Sequence, residues 1–202
     1  MNIERRAFPV ELRVEKREEK TKIVGHAAVF NSLSNEFWGF REVVAPGAFA
    51  DSIKEDDVRG LFNHDPNHVL ARNKSGTLTL AEDEKGLLYE IDPPDTQMAR
   101  DLMVSIERGD VSQNSFAFTV LPDGEKWRED ANGTLIRTLT RVKLYDISVV
   151  TYPAYLETDV SLRSSGEALA EEGRKILAAL KPPAFDPWDL DLRRRRLKLA
   201  EI

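Results

Sequence analysis

Short apolar segments separated by turn-forming residues fill most of the chain, and they constrain its fold more than any other feature. At residues 11–15, apolar and charged side chains alternate with a period of two, which is typical of a half-buried strand. Residues 77–80 and 87–91 are two further strand segments joined by a polar loop, which predicts a hairpin. About ten strands and two or three short helices are predicted in this way. We therefore expect a β-rich α+β fold, with a β-barrel or closed sheet surrounded by short helices.

Two helices are predicted between the strands. The first, at residues 48–54, carries apolar side chains four positions apart on one face. The second begins at Asp95 or Thr96, either of which can cap a helix N-terminus, and ends at Gly109, which suits a left-handed C-terminal cap.

The composition changes near the end of the chain. We expect one domain over residues 1–162, followed by a linker and a helical C-terminal tail over residues 163–202. Ser164-Ser165-Gly166 is predicted to be the linker. Alanine-rich and charged stretches then predict helices at residues 167–180 and 189–202, with prolines between them.

The composition also excludes several kinds of site. The chain of 202 residues has no cysteine, which excludes disulfides, thiolate zinc sites and a cysteine nucleophile and is compatible with a reducing compartment. Its net charge of −6 implies no general affinity for nucleic acid or anionic membranes. No apolar run approaches the ~20 residues of a membrane-spanning helix, and the charged start lacks the apolar core of a secretory signal. We expect a soluble intracellular protein.

A hydroxyl, an imidazole and a carboxylate lie on three separate apolar segments. His64 ends a predicted strand at residues 58–63, and Ser115 begins another. Asp146 interrupts a third strand, where a buried carboxylate needs a partner. A serine hydroxyl needs an imidazole to accept its proton, and a carboxylate fixes the tautomer of that imidazole and stabilises its transient charge. Together they predict a nucleophilic hydrolase site, in a chain order (His, Ser, acid) that differs from the familiar serine-hydrolase orders.

Neighbouring residues supply weaker candidates. Of the three histidines, His26 lies within a strand and is expected to be a packed residue. Ser112 is a second hydroxyl close to Ser115. Backbone amides are expected to form an oxyanion hole; Arg137 and Arg141 are additional candidates, although both also fit solvated strand positions.

The chain resembles the prohead (head-maturation) protease family of tailed bacteriophages over residues 25–161. Five fragments carry the resemblance, and they occur in the order found in the family. They are residues 25–30 (GHAAVF), 42–49 (EVVAPGAF), 61–65 (LFNHD), 115–118 (SFAF) and 146–154 (DISVVTYPA).

This resemblance implies a serine endopeptidase that needs no metal or cofactor, with a fold related to the herpesvirus assembly protease. It implies His64 as general base and then general acid, Ser115 as nucleophile and Asp146 as the orienting acid. The family often has a longer acid at the position of Asp146 and a glycine at that of Ala117. Herpesvirus relatives place a second histidine after the serine. No histidine follows Ser115 here, so an acid serves in its place or the site is a dyad.

The resemblance also implies where the protein acts and on what. It would work in the host cytoplasm during assembly and inside the procapsid, cleaving scaffolding protein and the N-terminal part of the major capsid protein precursor. No nucleic acid and no membrane is expected as a partner. Whether the protein forms a homo-oligomer is left open. The tail is expected to serve incorporation into the procapsid or dimerisation, or to be removed by self-cleavage.

Three alternatives stand beside this interpretation. His64 and His68 lie four residues apart with Asp65 between them, as metal ligands on a helix would, although Pro66 disfavours a helix there. A non-enzymatic assembly or scaffold protein could retain the same fold. The four arginines at residues 193–196 could bind nucleic acid, but residues 186–202 hold five basic against four acidic side chains, which favours a solvated end or a docking peptide.

Overall fold

The computed structural model describes residues 3–8, 10–17, 20–152 and 160–180. Twelve strands lie within these ranges: β1 (Glu4–Phe8), β2 (Leu12–Arg17), β3 (Lys20–Val29), β4 (Phe40–Val44), β5 (Arg59–Phe62), β6 (Asp65–Arg72), β7 (Leu78–Glu82), β8 (Gly86–Ile91), β9 (Gln113–Val120), β10 (Glu125–Glu129), β11 (Leu135–Leu139) and β12 (Val142–Val150). Three α-helices accompany them: α1 (Ala50–Glu55), α2 (Gln97–Arg108) and α3 (Val160–Leu180). None of the helices in the described ranges is long and apolar enough to cross a membrane.

Local sequence signals predicted several of these elements. The expected hairpin is β7 and β8, which pair antiparallel. Thr96 caps α2 by accepting a hydrogen bond from the Ala99 N–H, and Gly109 ends the helix at a φ of 82°. The prediction for this helix is confirmed at both ends.

The strands form three sheets. A five-stranded sheet has the order β1-β9-β12-β5-β6, a four-stranded sheet the order β2-β3-β8-β7, and a three-stranded sheet the order β10-β11-β4. The β-rich α+β fold is thus observed, but no closed barrel is formed by the described strands. Closure needs the first and last strands of one sheet to pair. Here β1 pairs with β9, and β6 pairs with β5 through a ladder broken by two register shifts.

The helix α3 lies against the three-stranded sheet. Its Ala170 packs in a buried cluster with aromatic side chains that include Phe40 and Trp127. Gly166 lies so close to Trp38 that an added Cβ would come within 2.0 Å of the indole ring. The predicted linker at Ser164-Ser165-Gly166 is therefore wrong, because this glycine allows close packing of a continuous helix. The helix predicted at residues 189–202 lies outside the described residues, and the division at residue 162 stays a prediction.

Five charged side chains, three of them buried, form a network between β1, β4, β10 and β11. The guanidinium of Arg137, which is 1% exposed, donates to three carboxylates: Glu4 (2.7 Å), Glu42 (3.0 Å) and Glu125 (2.6 Å). Arg6 donates to Glu42 at 2.7 Å. Burial opposes ionisation of Glu4, but the hydrogen bond from Arg137 and the charges of Arg6 and Arg137 outweigh it and lower the pKa of this carboxyl. The network joins β1 to the three-stranded sheet. Because β1 pairs with β9, it also anchors the strand that carries Ser115.

Candidate active site

A two-residue hairpin turn positions His64. Asn63 and His64 join β5 to β6 with φ angles of 54° and 55°, the positive values that a type I′ turn requires at both central positions. The Asn63 amide donates to Thr151 Oγ1 (3.2 Å), and its Oδ1 accepts from the Thr151 N–H (2.9 Å). The Asn63 N–H donates to the Val149 carbonyl at 2.9 Å. The turn is thereby clamped to the end of β12.

A bulge in β12 directs Asp146 towards the same face as Ser115. Before the bulge, Leu144 pairs with Phe118, and both side chains are buried in the apolar core. Beyond it, Asp146 pairs with Ala117 and Ser148 pairs with Ser115. A one-residue shift moves side chains of the same parity to the other face of a strand. The bulge therefore places a polar Asp-x-Ser pair opposite the serine of β9.

His64, Ser115 and Asp146 form a continuous hydrogen-bonded chain. The His64 Nε2 lies 2.7 Å from Ser115 Oγ, and its Nδ1 lies 2.6 Å from Asp146 Oδ1. A carboxylate only accepts, so it assigns the proton of a neutral imidazole to Nδ1 and leaves the Nε2 lone pair facing the serine hydroxyl. All three residues predicted for the site are brought together.

The surroundings favour this chemistry. Ser115 has no exposed surface, and the side chains of His64 and Asp146 are 8% and 12% exposed. Charge interactions are stronger in such a water-poor environment than in bulk solvent. The arrangement can lower the barrier to transfer of a proton from Ser115 Oγ to His64, which is what nucleophilic attack by a serine requires.

Sequence reasoning missed Ser148. Its Oγ accepts a hydrogen bond from the His64 backbone N–H (3.2 Å) and donates one to Asp146 Oδ1 (2.9 Å). The two-residue spacing from Asp146 was a usable signal, because residues i and i+2 of a strand lie on one face.

The other two histidines lie in different environments. His26 is buried, as expected, and its Nε2 lies 2.9 Å from Asp83 Oδ2. His68 is partly exposed and pairs with Asp65 at 3.4 Å. No cluster of three metal-ligating side chains occurs in the described part of the chain. Both imidazole nitrogens of His64 also have partners within the hydrogen-bonded chain, so the geometry offers no support for the metal alternative.

The two arginines considered for the oxyanion hole are engaged elsewhere. Arg137 is a buried member of the charged network instead of a solvated strand residue. Arg141 pairs with Asp51 at 3.2 Å and precedes Val142, whose partner on β9 is five residues from Ser115. At ~3.4 Å per strand residue this places Arg141 far from the nucleophile. Backbone amides as oxyanion donors stay a prediction.

The sequence model of a family described as "Caudovirus prohead serine protease" matches residues 9–172, a range that includes His64, Ser115 and Asp146. No curated protein matches the sequence. Among solved structures, the capsid assembly protease of bacteriophage T4 matches with a TM-score of 0.48 and 10% identity, over 73% of this chain and 96% of that chain.

Proposed function

We propose, since the chain belongs to the caudovirus prohead serine protease family, that it is the serine endopeptidase of phage capsid maturation and that Ser115 is its nucleophile. The observation that carries the proposal is the His64 imidazole, which is bonded to Ser115 Oγ on one side and to Asp146 Oδ1 on the other. A histidine held in this way has one nitrogen free to accept a proton and the other fixed by a carboxylate.

The reaction follows from these contacts. Ser115 Oγ attacks the scissile carbonyl carbon while its proton passes to His64 Nε2. The tetrahedral intermediate collapses as His64 returns that proton to the leaving amine, which breaks the C–N bond and leaves an acyl ester on Ser115. His64 then takes a proton from water, the resulting hydroxide attacks the ester, and the proton returns to Ser115 as the carboxylic product leaves. Throughout, Asp146 stabilises the imidazolium that forms twice.

The substrates we propose are scaffolding protein and the N-terminal part of the major capsid protein precursor, cut inside the procapsid. The family description, which names the prohead, supports this location. A relation of the fold to the herpesvirus assembly protease is likewise a proposal. It rests on the resemblance of the sequence, and an experimental structure superposed on that protease would test it.

A non-enzymatic assembly protein with the same fold is the competing function. Loss of catalysis removes selection for a hydrogen-bonded serine, histidine and acid, whereas all three are present here with short contacts between them. This intact arrangement favours the enzyme.

Incubation of the purified protein with the capsid precursor of the same phage tests the proposal. We expect the wild type to cut the precursor at a defined site and Ser115→Ala to leave it intact, because no other hydroxyl contacts His64 Nε2 within the described residues. Ser112→Ala is the matched control; it removes an exposed serine hydroxyl three residues away and should cleave as the wild type does. Equal cleavage by wild type and Ser115→Ala would sink the proposal.

A further inference from the structure

Ser148 makes contacts that neither the proposed mechanism nor the family match assigns. It is fully buried and lies directly across the β9–β12 ladder from Ser115. Its single hydroxyl bonds to both members of the pair that activates the nucleophile: it accepts from the His64 backbone N–H and donates to Asp146 Oδ1.

On the basis of the proposed function, we propose that Ser148 is a positioning residue of the catalytic site, which fixes the Asp146 carboxylate and the His64 turn relative to each other through one hydroxyl. It does not contact the reacting atoms.

The first half of this role concerns the carboxylate. Asp146 Oδ1 accepts two hydrogen bonds, from His64 Nδ1–H at 2.6 Å and from the Ser148 hydroxyl at 2.9 Å. A single hydrogen bond leaves a carboxylate free to turn about its terminal torsion, which is broad and soft. The second bond, anchored on the same strand, restricts that rotation and keeps Oδ1 directed at the imidazole.

The second half concerns the backbone of His64. The positive φ of His64 is sparsely populated by residues other than glycine, although histidine adopts it more readily than most, and it persists where surrounding contacts hold it. Asn63 is held to Thr151, just after the end of β12, and the Ser148 hydroxyl of β12 accepts from the His64 N–H itself. Loss of this contact would let the imidazole drift from Ser115 Oγ, and a displacement of ~1 Å costs on the order of 10²-fold in rate.

Steady-state kinetics of three variants test the role, with a peptide spanning the cleavage site mapped in the capsid precursor. Ser148→Ala should lower kcat by about 10- to 100-fold and leave KM within about twofold, since the lost interaction affects the chemical step and not substrate binding. Ser148→Thr retains a hydroxyl and should recover most of the lost kcat. If Ser148→Ala does not fold, Ser148→Cys replaces it with a weaker donor and the same expectation.

Ser34→Ala is the matched control. The Ser34 hydroxyl likewise accepts from a strand amide, that of Glu42 (2.8 Å), and donates to the Asn35 carbonyl (2.7 Å); neither partner belongs to the site. It should leave kcat near that of the wild type. The role is overturned if Ser148→Ala keeps the wild-type kcat, or if Ser34→Ala loses as much kcat as Ser148→Ala does.

The proposed function and the role of Ser148 fail differently. If the wild type does not cleave, or if Ser115→Ala cleaves as well as the wild type, the proposed protease function is wrong. If Ser115→Ala is inactive while Ser148→Ala is as fast as the wild type, only the positioning role is wrong.

Discussion

Replacing His64 with alanine should lower kcat by about 10⁶-fold, comparable to the loss on removing the serine, because the two residues act as one unit. Without the imidazole, the Ser115 hydroxyl has no acceptor for its proton during attack, and the leaving amine has no donor. Steady-state cleavage of a peptide spanning the mapped site measures the loss. Circular dichroism and thermal unfolding of the same preparation establish that the sheet around the turn is retained.

His68→Ala is the matched control for this variant. His68 lies four residues further along and pairs with Asp65 at the surface, so the kcat of His68→Ala should stay within about twofold of the wild type, as expected for the loss of one exposed contact. A His64→Ala enzyme within tenfold of the wild type would exclude His64 as the general base.

Asp146→Asn should lower kcat by about 10⁴-fold with little change in the structure of the site. An asparagine can present its NH₂ group to His64 Nδ1, which moves the imidazole proton to Nε2 and removes the lone pair that accepts the proton of Ser115. The same steady-state assay measures this loss. Asp146→Glu keeps the charge with a longer side chain, so it should retain more activity than the asparagine variant.

The control for Asp146→Asn is Asp83→Asn, which alters the only other carboxylate that pairs with a buried histidine in the described residues. His26 and Asp83 belong to β3 and the loop before β8, and neither forms a hydrogen bond with His64, Ser115 or Asp146. Independent sites of this kind leave one another's energetics largely unchanged, so kcat should stay within about threefold of the wild type. If Asp146→Asn behaves like Asp83→Asn, the site is a Ser-His dyad.

That His64, Ser115 and Asp146 lie together could be predicted from the sequence, because each lies in a short motif with a chemical requirement. A serine nucleophile needs a base, and a carboxylate within an apolar strand needs a partner. His64 serves both requirements, as the base for Ser115 and as the partner of Asp146. Their geometry was not predicted. It depends on the bulge between Leu144 and Asp146, across which the buried apolar positions change from even (Val142, Leu144) to odd (Ile147, Val149).

For the fold too, features set by neighbouring residues were predicted, and features set by contacts distant in sequence were not. Thr96 and Gly109 predicted α2 at both ends because capping is a local property of the backbone. The order of the strands was not predictable, since β12 lies parallel to β5 and β11 parallel to β4 across large separations in sequence. Gly166 misled the prediction of a linker because its role depends on Trp38, which is distant in sequence.

The most direct test of the central claim is to identify the residue that an active-site phosphonylating probe modifies in protein shown to cleave its precursor. A fluorophosphonate forms an ester with a serine oxygen that a histidine has activated and releases fluoride. Mass spectrometry of tryptic peptides should find a single adduct per chain, on Ser115, and none on His64→Ala over the same time. An adduct on another serine, an unmodified Ser115 in cleaving protein, or equal labelling of His64→Ala would contradict the assignment of Ser115 and His64.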